Sequence, residues 1–177
     1  MDDQTLRTQR FETAQAVKIL RKTTACGLHS LPGMHTEKQL NDIAWEIIGA
    51  GIAVHRRIGP GCLESAYSPC FALELTRRKL DFRREVGLTL RYDELIVPRA
   101  YVVDYIIAGC IVAELKAVAM TTNRDRRQVL TYLEISGCPL GLLLNFGAMK
   151  FSDEVKRVVN NFPEGTQPLC QDDSLIR

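Results

Sequence analysis

No two cysteines in this chain stand close enough to suggest a shared ligand. Cys26, Cys62, Cys70, Cys110, Cys138 and Cys170 are scattered, with no CxxC among them. Neither a zinc site nor an iron–sulfur cluster is signalled, and the thiols read as reduced, mostly small core residues. Long apolar runs are missing too. None reaches the roughly 18 to 20 residues of a membrane span, and the opening MDDQTLRTQRFETAQ lacks the apolar stretch of a secretory signal. A cytoplasmic protein with no membrane partner is expected. There is also no excess of charge: 23 Lys and Arg stand against 21 Asp and Glu, a net +2. That balance argues against holding duplex DNA by charge alone and confines any nucleic-acid contact to local clusters. Finally, GAGIAVHRRIGPG (49–61) offers Gly49 and Gly51 but no correctly placed third glycine after a strand, so a dinucleotide site is not indicated.

What is present fits one soluble globular domain: 177 residues, 46% of them hydrophobic, enough to bury a sizeable core. Residues 1–36 have weak periodicity and end in the turn-rich GLHSLPGMHT. They read as an extension, dispensable up to residue 33, with Met34 as an alternative start. The compact domain is expected over 37–161, and the Pro/Gly/polar remainder, 162–177, as a loose tail. Within the domain, Leu40, Ile43, Ala44, Ile47, Ile48 and Gly51 recur at helical spacing. IGPGC then breaks the helix. A second helix spans about 63–79, although Pro69 should kink or shorten it. Three strands come next, at 85–92, 99–107 and 110–118, then a helix over 123–136 and an apolar strand over 140–147. DEVKRVVNNF fits either helix or strand. The order is that of an α/β protein with helices flanking a mixed sheet of four or more strands.

The chemistry concentrates in CIVAELKAV (110–118). In a strand, alternate side chains share a face, so Val112, Glu114, Lys116 and Val118 point the same way, two charges flanked by valines. Asp104 lies ten residues before Glu114, the only charge in YVVDYII. If Ala108, Gly109 and Cys110 form a three-residue loop, Ile107 pairs with Ile111 and Asp104 falls opposite Glu114 on one face. Two carboxylates so placed repel. Two readings stand. Mg²⁺ or Mn²⁺ between oxygen ligands removes the repulsion, with Lys116 orienting water or neutralising a phosphate; alternatively, Lys116 simply neutralises the carboxylates in a structural ion pair. Two further features accompany the trio. Gln128 and Tyr132 are one turn apart on the next helix, and Gly61, Glu64 and Tyr67 are evenly spaced in GPGCLESAY.

These residues carry a resemblance. GCLESAY resembles the signature of the GxxExxY family, and the similarity continues through LNDIAWEIIGAGIAVHRRIGPG, VVDYIIAGCIVAELKAV and QVLTYLEISGCPLGLLLNFG, from Leu40 to Gly147. That family is similar to the PD-(D/E)xK nuclease superfamily, which implies a restriction-endonuclease-like core of α-β-β-β-α-β order. The resemblance implies Asp104 and Glu114 as metal-binding acids, Lys116 as the catalytic lysine and Glu64 as a helix carboxylate completing the metal shell. Gln128 and Tyr132 would be the QxxxY pair of recombination-type exonucleases. Val103 stands where the superfamily name has proline, and Pro69 where relatives carry helix formers. The cluster-binding cysteines of some relatives have no counterpart.

The expectation is therefore a Mg²⁺-dependent (or Mn²⁺-dependent) phosphodiesterase acting on nucleic acid, DNA by preference, through metal-assisted attack of water on phosphorus. Basic clusters at His55–Arg57, at Arg77–Lys79 with Arg83 and Arg84, and in NRDRR beside Gln128 are candidate backbone contacts. The alternative is a non-catalytic nucleic-acid-binding or assembly protein that keeps the fold. In either case so small a domain is expected to draw specificity from a second subunit or a partner protein.

Overall fold

The computed structural model describes residues 35–160, so the expectations for the N-terminal extension and the C-terminal tail lie outside the described residues. Helix α1, Glu37–Ile58, begins where Thr36 and Gln39 form a reciprocal capping box that satisfies two orphan amides. It ends at Gly59, whose φ of 74° no ordinary side chain favours. Its buried residues Leu40, Ala44, Ile47, Ala50 and Val54 form one stripe. Helix α2, Glu64–Arg77, continues through Pro69 over nearly the whole expected span.

Strands β1 (Phe82–Tyr92), β2 (Leu95–Ile107) and β3 (Ile111–Lys116) are followed by helix α3 (Asn123–Ser136) and strand β4 (Leu140–Asn145). The segment left open between helix and strand is both a short 3-10 turn, Phe151–Glu154, and a strand, β5, Val155–Val159. The sheet runs β1-β2-β3-β4-β5; β3 and β4 are parallel and every other neighbouring pair is antiparallel. This is the expected α/β architecture, a five-stranded mixed sheet between helical layers, consistent with a restriction-endonuclease-like fold.

Each face of the sheet has its own core. Tyr105, Ile107, Ile111, Ala113, Leu115, Leu140, Leu142 and Leu144 pack under α1 and α2 together with Phe146 and Phe151. Leu88, Val103, Ile106, Val112 and Leu143 pack under Val129, Tyr132 and Leu133 of α3. Every residue of β4 is buried, as a strand covered on both faces requires. Among the described residues no helix is long and apolar enough to cross a membrane.

Candidate functional site

The register of the β2–β3 hairpin decides where Asp104 lies. Ile107 pairs with Ile111, as the three-residue loop demands, and Ala108 as well as Gly109 adopts positive φ to close it. The ladder ends at Tyr105–Ala113. Asp104 therefore does not form the expected backbone pair with Glu114; instead its Oδ2 accepts the Leu115 amide at 2.8 Å. Strict alternation also fails here. Val103 and Ile106 share the α3 core while Tyr105 lies in the opposite one. On the other edge of β2, pairing with β1 skips Glu85 and Asp104, and Glu85 has a φ of 51°. The register is the same on both sides of this unpaired position and shifts only between Leu88 and Leu90; Asp104 sits where the alternation breaks.

Glu114 and Lys116 alternate regularly on the α3 side of β3. Lys116 Nζ donates to Glu114 Oε1 at 2.7 Å, with both side chains largely buried. The second oxygen, Glu114 Oε2, is buried with no hydrogen-bond partner. Burial and then the neighbouring Asp104 push the Glu114 carboxyl up to about 7 despite the lysine. Asp104 is raised by burial, against the opposing effects of the Leu115 amide, of Lys116 and of a hydrogen bond with the Glu114 carboxyl, which needs a proton on one of the two acids; with both ionised, Glu114 Oε2 has no donor. Burial disfavours the charge on Lys116, but Glu114, Glu64 and Asp104 outweigh it and its pKa is raised. The site thus holds more negative charge than one lysine balances.

Glu64 arrives from the other helical layer, at the first turn of α2. Burial and Asp104 raise its carboxyl while Lys116 opposes the shift. Tyr67 explains how this turn is held. Its buried hydroxyl donates to Gly59 O at 2.7 Å and accepts from the Cys62 amide at 3.1 Å, and its ring stacks on Phe146 at 4.8 Å. The tyrosine of GPGCLESAY thereby fixes the loop that delivers Glu64. On α3, Gln128 Nε2 donates to the Tyr132 hydroxyl. Burial and Glu114 raise the pKa of that hydroxyl, opposed by Gln128 and Lys116. Glu64, Asp104, Glu114, Lys116 and Tyr132 thus lie near enough to feel one another's charges, and Gln128 joins them through Tyr132.

An all-oxygen donor set of Asp104, Glu114 and Glu64 has the chemistry of a Mg²⁺ or Mn²⁺ site, and the orphaned Glu114 oxygen is an acceptor that such an ion would satisfy. Among the described residues no three His, Cys, Asp or Glu side chains already stand in metal-holding array.

Sequence reasoning missed Asn145. Fully buried at the end of β4, it accepts from the amides of Val118 and Gly147, both at 3.1 Å, and donates to Val118 O at 2.8 Å. It clamps the chain just beyond Lys116, its neighbour in the parallel register. A lone amide closing the apolar run LGLLLN was the available signal. Three members of the basic clusters are engaged in ion pairs: Arg57 and Arg77 both pair with the buried Glu74 at 2.7 Å, and Arg78 pairs with Glu46 at 2.8 Å. His55 bonds the Ala148 carbonyl. Arg84 is pinned over the Tyr105 ring and donates to Ser68 Oγ.

No curated protein and no solved structure matches the chain. The sequence model of the PD-(D/E)XK nuclease superfamily does match, over residues 41–158, a stretch that runs from α1 into β5 and takes in Glu64, Asp104, Glu114, Lys116, Gln128 and Tyr132; the chain belongs to that superfamily.

Proposed function

We propose that this protein is a Mg²⁺- or Mn²⁺-dependent phosphodiesterase that cleaves DNA, and that within its superfamily it belongs with the GxxExxY proteins. The observation that carries the reading is the buried, unpartnered Glu114 Oε2 beside Asp104. A buried acceptor without a donor costs about 1–3 kcal/mol, and a like-charged neighbour adds to that cost; a divalent cation would relieve both. Asp104, Glu114 and Glu64 are the residues that would hold it. When bound, such an ion neutralises phosphate charge and lowers the pKa of water.

The chain's own groups do the rest. The Leu115 amide holds the Asp104 carboxylate in place, and Lys116 does the same for Glu114. Lys116 also provides a transferable proton and a positive charge at Nζ, suited to orienting water or to neutralising a phosphate oxygen. Tyr132 accepts from Gln128, so its own proton is directed away from the amide and is available to a phosphate oxygen. The opposing reading, a binding or assembly protein that turns over nothing, draws on the Lys116–Glu114 pair, which satisfies the lysine without any cation.

Cleavage of end-labelled single- and double-stranded DNA with Mg²⁺, Mn²⁺ or chelator separates the two. Wild type is expected to cut only with metal, and Lys116→Ala to lose at least about a hundredfold in rate, the scale of a positioned proton-transfer group. DNA binding with no cleavage under any metal would favour the non-catalytic reading.

A further inference from the structure

Tyr101 lies outside the residues discussed so far, yet it borders the site. Its ring meets that of Tyr132 edge to face, with centroids 5.8 Å apart and planes at 65°. Tyr132 is almost wholly buried, whereas Tyr101 is 37% exposed and the adjacent Val102 is 41% exposed. Among the described residues no strand covers this stretch of β2 on its inner edge, because β3 pairs only with residues Tyr105–Ile107. An aromatic ring is thus presented in the open, one ring away from a hydroxyl that senses the charges of Glu114, Lys116 and Asp104. The helix that carries Gln128 and Tyr132 opens with Arg124, Arg126 and Arg127, whose positions are exposed. The positive end of the helix adds to their charge.

An exposed aromatic ring and a basic helix start near a hydrolytic centre are the two elements by which proteins hold single strands: charge follows the backbone, and rings stack on bases. A base within a duplex has both faces covered by its neighbours and cannot offer one to a side chain. The geometry points to Tyr101 as the stacking platform for an unpaired base beside the phosphodiester held at Asp104 and Glu114, which makes single-stranded DNA, or a frayed end, the substrate class. This inference rests on the phosphodiesterase reading. The competing role for Tyr101 is to cover the Tyr132 ring as packing alone.

The test is binding of the full chain, with chelator at one fixed salt concentration, to a fluorescein-labelled single strand of about 16 nucleotides, the upper site size of one single-strand-binding fold, and to its duplex. Cleavage of both with Mn²⁺ is measured alongside. Tyr101→Phe should bind like wild type. Tyr101→Leu keeps an apolar cover over Tyr132 but has no ring face; it should melt near wild type and lose about tenfold in single-strand affinity, with duplex affinity unchanged. Tyr101→Leu that binds the single strand as wild type does, or that weakens both DNAs equally, overturns the stacking role. A wild type that cuts duplex at least as well as single strand with Mn²⁺ overturns the substrate assignment but leaves the phosphodiesterase reading standing. A wild type that binds and cuts neither overturns both.

Discussion

Glu114 is asked to do two things at once, to hold Lys116 with one oxygen and to leave the other buried and bare. The consequence is readable as pH dependence. The carboxyl titrates near 4.5 when unperturbed and near 7 in the fold, through burial and Asp104. Between those values the folded chain keeps a proton that the unfolded chain has released. The stability this group contributes is full below the lower value and is lost as pH rises through the upper one. Melting of the chelated protein should therefore become easier from about pH 5 to about pH 8, and Glu114→Gln should flatten that slope; equal slopes in the two proteins would assign the effect elsewhere. Asp104→Asn tests the same charge surplus. The amide still offers an oxygen to the Leu115 N–H, so the anchor survives while one charge leaves. The chelated variant should be as stable as wild type or more so. It should also lack the rise with Mn²⁺, which for wild type is about 2.7 kcal/mol at a hundredfold excess over Kd. A structural ion pair predicts the reverse, a chelated variant of lower stability and a wild type indifferent to metal. At this scale the sequence was informative about residue identity, since unpaired acids inside apolar strands demand an explanation.

The elements matter through their junctions. Lys116 is the last residue of β3, and the chain beyond it is held by Asn145 and by close approach at Gly147, where an added Cβ would stand 2.5 Å from Val118 O and 2.6 Å from Val118 N. Those neighbours are backbone and cannot swing aside. Asn145→Ala should cost about 1–3 kcal/mol in urea unfolding by removing the acceptor of the Val118 and Gly147 amides and the donor to the Val118 carbonyl. Gly147→Ala should be destabilising too, by forcing the two chain segments apart, and both should slow metal-dependent cleavage because they release the segment that carries Lys116. A variant of either kind with wild-type stability would contradict the clamp. The pairing of Asn145 with Val118 is not legible in the linear chain, since a helix separates them. The strand pattern misleads in one place as well: period-two alternation does not hold through β2, where Val103 and Ile106 share one core and Tyr105 the other, although the pairing with β1 keeps its register past Glu85 and Asp104.

For the molecule as a whole, the superfamily match begins at residue 41 and the first helix is capped at Thr36. A chain starting at Met34 is expected to melt within a few degrees of the full chain and to cleave DNA at the same rate. Loss of folding or of cleavage would show that the first 33 residues belong to the domain.

Element order and the hairpin register set by the loop before Ile111 were contained in the sequence, because they depend on local periodicity and loop length; the acid, lysine, glutamine and tyrosine positions stood out there through spacing together with the family resemblance. Tertiary structure alone decided the rest. The loop held by Tyr67 brings Glu64 round from the opposite layer, and α3 places Tyr132 against Glu114. The irregularity at Asp104 turns its carboxylate to the Leu115 amide, and burial leaves one glutamate oxygen without a donor. Each of these depends on contacts between residues far apart in the chain, and no local pattern encodes which of them desolvate one another.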